Sequence, residues 1–144
     1  MYKFDMICGR QTTRRFSMKE SGEMYLETIR VLSDKNANVR AIDISAEMGF
    51  SKPSVSRALG ILKNDGYITV NENGYISLTD SGKTLANKIY ERHLVLTSFF
   101  TGIGVDPRTA EDDACKIEHD ISDITFSALK AYMTGEGFEY SGQK

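Results

Sequence analysis

The chain has 144 residues, 40% of them hydrophobic and 26% charged, with a net charge of −2. That is room for one ordinary domain or two small ones, and no run approaches the roughly 18 consecutive apolar residues of a membrane span. The opening stretch, MYKFDMICGRQTTRRF, holds no apolar core of signal-peptide length. Its two cysteines, Cys8 and Cys115, do not make a disulfide scaffold, and free thiols in the cytoplasm are the expectation. Charge is unevenly spread: residues 1–19 carry five basic and one acidic residue, residues 80–144 seven and eleven. An acidic total argues against nucleic acid, but a basic patch near the N-terminus leaves phosphate contact open.

Residues 1–19 show no period and read as a flexible basic extension. Met24, Leu26, Ile29, Val31 and Leu32 then fall at helical spacing, which predicts a helix from about Gly22 to about Asp34 with Ser21 as its N-cap. After a loop, Ile42, Ile44, Ala46 and Met48 predict a short helix ended by Gly49. Ser51 can cap the next helix, with Pro53 in its first turn and Asn64 near its end. Val55, Ala58, Leu59 and Leu62 would face inward, and Ser54, Ser56 and Arg57 outward. Asp65-Gly66 turns the chain, and Tyr67–Val70 and Tyr75–Leu78 read as strands about the hairpin signal Asn73-Gly74. Residues 20–80 are therefore expected to form a winged helix-turn-helix.

Residues 81–136 read as all-helical, which makes the chain mainly α. Thr79 or Asp80 starts a long helix reaching about Phe100, with Leu85, Ile89, Leu94, Leu96, Phe99 and Phe100 apolar. Gly102 and Gly104 break it. Asp106-Pro107 opens a helix to about His119, and Asp120 or Ser122 opens the last. Its apolar set is Ile124, Phe126, Leu129 and Met133, and it stops near Gly135. Residues 137–144 read as a polar tail.

Two constellations carry chemistry. The first is the start of the third helix, Ser51, Lys52, Pro53, Ser54, Ser56 and Arg57. A helix N-terminus of this kind enters the major groove of double-stranded DNA, where Arg57 can reach guanine and the hydroxyls phosphates. The second is Cys115-x-x-Glu118-His119, whose i, i+3 and i+4 spacing puts thiolate, carboxylate and imidazole on one helix face. All three are ligands for a first-row transition metal. His93 is the only other histidine, and Met24 and Glu27 could complete a site from the first helix. A Cys–His enzyme lacks an orienting acid and an oxyanion motif here, so no enzyme is expected.

The order of these pieces resembles the diphtheria-toxin-repressor and manganese-transport-regulator family of metal-dependent transcriptional repressors, over about residues 18–135. The carriers are Gly22–Ile29, Ser51–Ser56, Asp65–Ile68, Leu78–Gly82, Arg92-His93 and Asp113–His119. The resemblance implies a winged-helix domain, a helical dimerisation domain, and a metal between them acting as co-repressor. The iron-type ligand set falls on Met24, Cys115, Glu118 and His119. Manganese-type members use carboxylates at the Met and Cys positions and a Glu that falls on Glu27. An ancillary site of iron-type members matches His93, but Thr97 and Glu111 stand where those members have Glu and His. His93, Glu111 and Glu27 are then candidates for a modified second centre.

Soft sulfur donors favour Fe(II) as the first choice, with Mn(II) second and Co(II), Ni(II) or Zn(II) as surrogates. The resemblance implies a homodimer on a palindromic operator that controls metal-uptake genes. A winged-helix regulator of a small organic ligand is the alternative, and it would need no Cys-Glu-His convergence.

Overall fold

The computed structural model describes residues 18–135, with side chains from residue 22 onward. Among the described residues it contains six helices and one two-stranded antiparallel sheet. No helix there is long and apolar enough to cross a membrane. The chain divides into two compact units between Asn87 and Lys88.

The first unit begins with α1 (Met18–Lys35), then α2 (Ala41–Met48) and α3 (Lys52–Asn64). The first helix starts four residues before the expected Gly22, so Ser21 lies within it and is not its N-cap. The expectation of a flexible extension otherwise lies outside the described residues. Every residue from Glu23 to Ile29 is buried. That includes Glu23, Glu27 and Thr28, which apolar periodicity alone would have placed outside.

Helix α2 buries Ile44 and Met48, one turn apart. Ile42 and Ala46 are exposed, because they lie half a turn away from that pair. The Asp43 carboxylate accepts from the Arg40 backbone N–H at 2.8 Å and fixes the start. Gly49 ends it at φ 70°, a left-handed conformation that costs glycine little. Ser51 then caps α3 by accepting from the Ser54 N–H at 3.3 Å. Val55, Leu59 and Leu62 point into the core as expected.

Strands β1 (Ile68–Val70) and β2 (Ile76–Leu78) pair with Ile68 opposite Leu78. Val39 adds a bridge to Ile76 on the outer side, an edge the sequence did not announce. The core of this unit gathers Leu26, Ile29, Ile44, Val55, Leu62, Ile68 and Ile76.

Helix α4 (Asp80–Gly102) begins on Thr79, whose hydroxyl donates to the Gly66 carbonyl at 2.6 Å and accepts from the Gly82 N–H at 3.1 Å. This lashes the helix to the end of the Asp65-Gly66 turn. A Cβ on Gly82 would sit 2.0 Å from the Tyr67 carbonyl oxygen, so only glycine lets the two backbones approach. Gly82→Ala is expected to cost about 3 kcal/mol by overpacking, read as a loss of thermal stability with little change in helix content below the transition.

The second unit holds the rest of α4 with α5 (Pro107–Ile117) and α6 (Asp123–Gly135). Asp106 caps α5 by accepting from the Thr109 N–H at 3.0 Å. Hydrogen bonding from the Thr109 side chain, and after it from that N–H, holds its carboxyl below the usual range. Ser122 caps α6 by accepting from the Thr125 N–H. The core here is Leu94, Val95, Phe126 and Met133, with Tyr90, Phe99, Ile121 and Leu129 against it. Ile124, expected on the apolar face of α6, is 84% exposed. Two residues before Phe126 is roughly 200° around a helix, so the two cannot share a face.

Candidate metal centre and DNA-reading helix

The residues expected to read DNA lie at the start of α3. Ser51, Lys52, Pro53, Ser54, Ser56 and Arg57 are all exposed. Ser51 and Ser54 spend part of their bonding capacity on each other, with the Ser51 hydroxyl donating to Ser54 Oγ at 2.9 Å. Their role is thus first to start the helix. Lys52, Ser56 and Arg57 remain as the side chains with reach.

The second unit gathers the metal-type donors. Helix α5 ends at Ile117, and Glu118 is its C-cap, still in right-handed helical geometry, with its N–H donating to the Ala114 carbonyl. Cys115 and Glu118 therefore share a face as expected. His119 falls in the turn beyond the helix, a correction to the reading that placed all three on it. His93 comes from α4.

One donor atom each of His93, Cys115 and Glu118 lie within 4.8 Å of one another, and all three residues are buried. His93 Nδ1 is 2.9 Å from Glu118 Oε2, and His119 Nε2 is 3.2 Å from Glu118 Oε1. The Glu118 carboxylate thus lies between two imidazoles. Burial alone would raise its pKa, but the close His119 imidazole and the hydrogen bond with His93, reinforced by their charge, hold it below the usual carboxylate range. A carboxylate at 0% exposure is costly unless something cationic or hydrogen-bonding compensates it. Nitrogen, sulfur and oxygen donors converging in a buried place fit a first-row transition metal.

Cys115 departs from the free thiol expected of it: its sulfur is in a disulfide. A count of two cysteines argued against a scaffold of bridges but does not forbid a single one. Cys8, the only other cysteine in the sequence, lies outside the described residues. A metal takes the thiolate, so Cys115 can serve as a ligand only in the reduced protein.

The remaining candidates are placed as follows. Met24 and Glu27 are buried on α1 of the first unit, at 4% and 1% exposure. Glu111, one turn before Cys115 on α5, is half-buried and outside the converging set of the second unit. Thr97, also on α4, is buried.

Sequence reasoning missed the group that fixes the turn after α5. Arg92, 5% exposed, donates from Nη1 to the Glu118 carbonyl at 3.1 Å and the Ile121 carbonyl at 2.5 Å. Its Nη2 pairs with the Asp123 carboxylate. Hydrogen bonding and charge from Lys88, with Arg92 adding to them, hold the Asp123 carboxyl below its usual range. Arg92 stood in the sequence only as the neighbour of His93, and nothing in spacing shows which carbonyls a guanidinium will find.

Comparison with known proteins agrees with this division of labour. Residues 17–75 match the family model described as the iron dependent repressor N-terminal DNA binding domain. Residues 79–135 match the one described as the iron dependent repressor metal binding and dimerisation domain. The transcriptional regulator MntR of Salmonella typhimurium is 31% identical over 129 residues, covering 90% of this chain and 82% of its own. The diphtheria toxin repressor of Corynebacterium diphtheriae is 30% identical over 105 residues, 72% of this chain and 46% of its own.

Among solved structures, a manganese-dependent transcriptional repressor in complex with manganese superposes with a TM-score of 0.73 at 25% identity, over 82% of this chain. The chain covers 53% of that one, so it spans about half its length. The IdeR structure of T. acidophilum gives a TM-score of 0.71 at 21% identity, over 89% of this chain and 57% of its own, which speaks to the fold alone. The chain belongs to the iron-dependent repressor family, a family of metal-dependent transcriptional repressors and not of enzymes.

Proposed function

We propose that this chain is a repressor that binds a two-fold DNA operator as a homodimer when a divalent transition metal is bound, and that the metal is Fe(II). The observation that carries the reading is the buried convergence of His93, Cys115 and Glu118, with His119 on the other oxygen of Glu118. The proposed ligands are Met24, Cys115, Glu118 and His119, with His93 and Glu27 as further donors. Met24, Glu27 and Glu111 enter on the family resemblance. When bound, the metal would add positive charge beside the buried carboxylate and thiolate.

The chain's own residues do the rest. Lys52 and Arg57 present cations from the start of α3 to phosphate and base edges, and the Ser51 cap holds that end of the helix in shape. In a dimer, two such helices read half-sites about 34 Å apart, so whatever fixes their spacing sets affinity. Binding that favours the spaced arrangement raises its population, and DNA in turn tightens metal binding.

A manganese-responsive reading is the second one, favoured by the MntR relatives at 30–31% identity. Oxygen donors suit Mn(II), whereas the Cys115 sulfur suits Fe(II). The test is a selection from random duplexes with the reduced protein and Fe(II), followed by anaerobic binding titrations of the selected duplex with Fe(II), Mn(II), Zn(II) or no metal. Fe(II) should tighten binding most. Stronger activation by Mn(II) would move the metal assignment, and binding indifferent to every metal would end the proposal.

A further inference from the structure

We propose that Arg92 is a positioning residue for the metal centre: it holds the turn after α5 so that Glu118 and His119 present their donors together. This rests on the metal-dependent reading above. Arg92 precedes His93 on α4, so one helix turn carries both a candidate ligand and the clamp on two others. Its guanidinium spans the whole turn, from the Glu118 carbonyl through the Ile121 carbonyl to Asp123 at the start of α6. The Phe126 ring lies 5.4 Å from its central carbon and walls off one side.

The physical need is specific. The last carbonyls of a helix have no partner within it, and a cation at that end both satisfies them and complements the helix dipole. Residues 118–120 form a turn, tied through the backbone by Asp120 and Ile121 N–H groups that both donate to the Ile117 carbonyl. Those bonds leave the Glu118 and Ile121 carbonyls to Arg92. A ligand set tolerates only about 0.5 Å of misplacement, and Glu118 must serve while facing two imidazoles at once. Arg92 reaches the backbone of the residue whose side chain is the proposed ligand, and it touches none of the donor atoms itself.

The test uses the reduced full chain and Co(II), whose absorption reports both affinity and coordination. Arg92→Met keeps the length of the stem and removes the donors. It should weaken Co(II) binding by about tenfold or more and shift the d–d bands, while Arg92→Lys, which keeps the charge, should recover part of both. A purely structural role would lower the melting temperature of the metal-free protein and leave the affinity and spectrum of the folded fraction unchanged, and that result overturns the proposal. If Arg92→Met does not fold, Asp123→Asn carries the test, because the Asp123 side chain is 69% exposed and its loss only loosens the clamp. A several-fold weaker Co(II) affinity supports the proposal, and an unchanged one removes it. Wild-type protein that binds no Co(II) defeats this inference together with the metal-dependent reading, whereas wild-type binding with unaltered variants defeats this inference alone.

Discussion

Glu118→Gln is expected to abolish the metal response while leaving the fold in place. The amide matches the carboxylate in shape, so a side chain at 0% exposure is replaced without a cavity. What is lost is the negative charge between His93 Nδ1 and His119 Nε2. Loss of an outer-shell partner commonly costs a metal site 10–100-fold in affinity, and a direct donor should cost about 100-fold or more. Metal stabilises a protein by binding the folded state, by about 2.7 kcal/mol at a hundredfold excess over Kd. The melting temperature of the wild type should therefore climb with added Co(II), and that of the variant should stay flat.

The metal-free variant is the informative control. Because the folded state depresses the Glu118 pKa, the stability this carboxylate contributes is present above its ordinary range and lost as pH falls through and below it. The glutamine variant should lack that acid limb. A variant whose melting temperature still rises with Co(II) as the wild type's does would take Glu118 out of the ligand set.

The winged unit was legible because its signals are local. Ser51 ahead of Pro53, Gly49 after Met48 and Asn73-Gly74 between alternating strands each dictate a backbone geometry within a few residues. The same held for Thr79 and Asp106, whose hydroxyl and carboxylate start α4 and α5. Legibility failed where a helix is buried on every side. Arg92 through Thr97 form an unbroken buried run on α4, and Glu23 through Ile29 another on α1, so there is no polar stripe to mark a face. In a short helix such as α2, four apolar residues cannot all turn inward, and spacing alone did not say that Ile44 and Met48 are the buried pair.

The candidate centre divides the same way. Cys115 and Glu118 were readable from spacing, because i and i+3 meet on any helix. The placement of His93 against Glu118 was not, since it depends on how α4 packs on α5. Arg92 was invisible because two of its three partners are backbone carbonyls, which every residue carries.

Cys115→Ala is expected to change which metal the protein prefers, and not only how tightly it binds. A thiolate adds a soft donor that strengthens Co(II) and Fe(II) far more than Mn(II), which draws its affinity from oxygen. In the reduced wild type, Co(II) should give an intense sulfur-to-metal absorption in the near ultraviolet. The variant should lose that band, lose about tenfold or more in Co(II) affinity, and lose much less for Mn(II). The disulfide at Cys115 supplies an internal comparison. Wild-type protein with that sulfur oxidised should titrate like the variant, and a thiol reductant should restore the band in the wild type alone. If Co(II) affinity, Mn(II) affinity and the near-ultraviolet band are the same in reduced wild type and variant, sulfur takes no part in the centre. Selectivity would then rest on the imidazoles and carboxylates, and the manganese reading would become the stronger one.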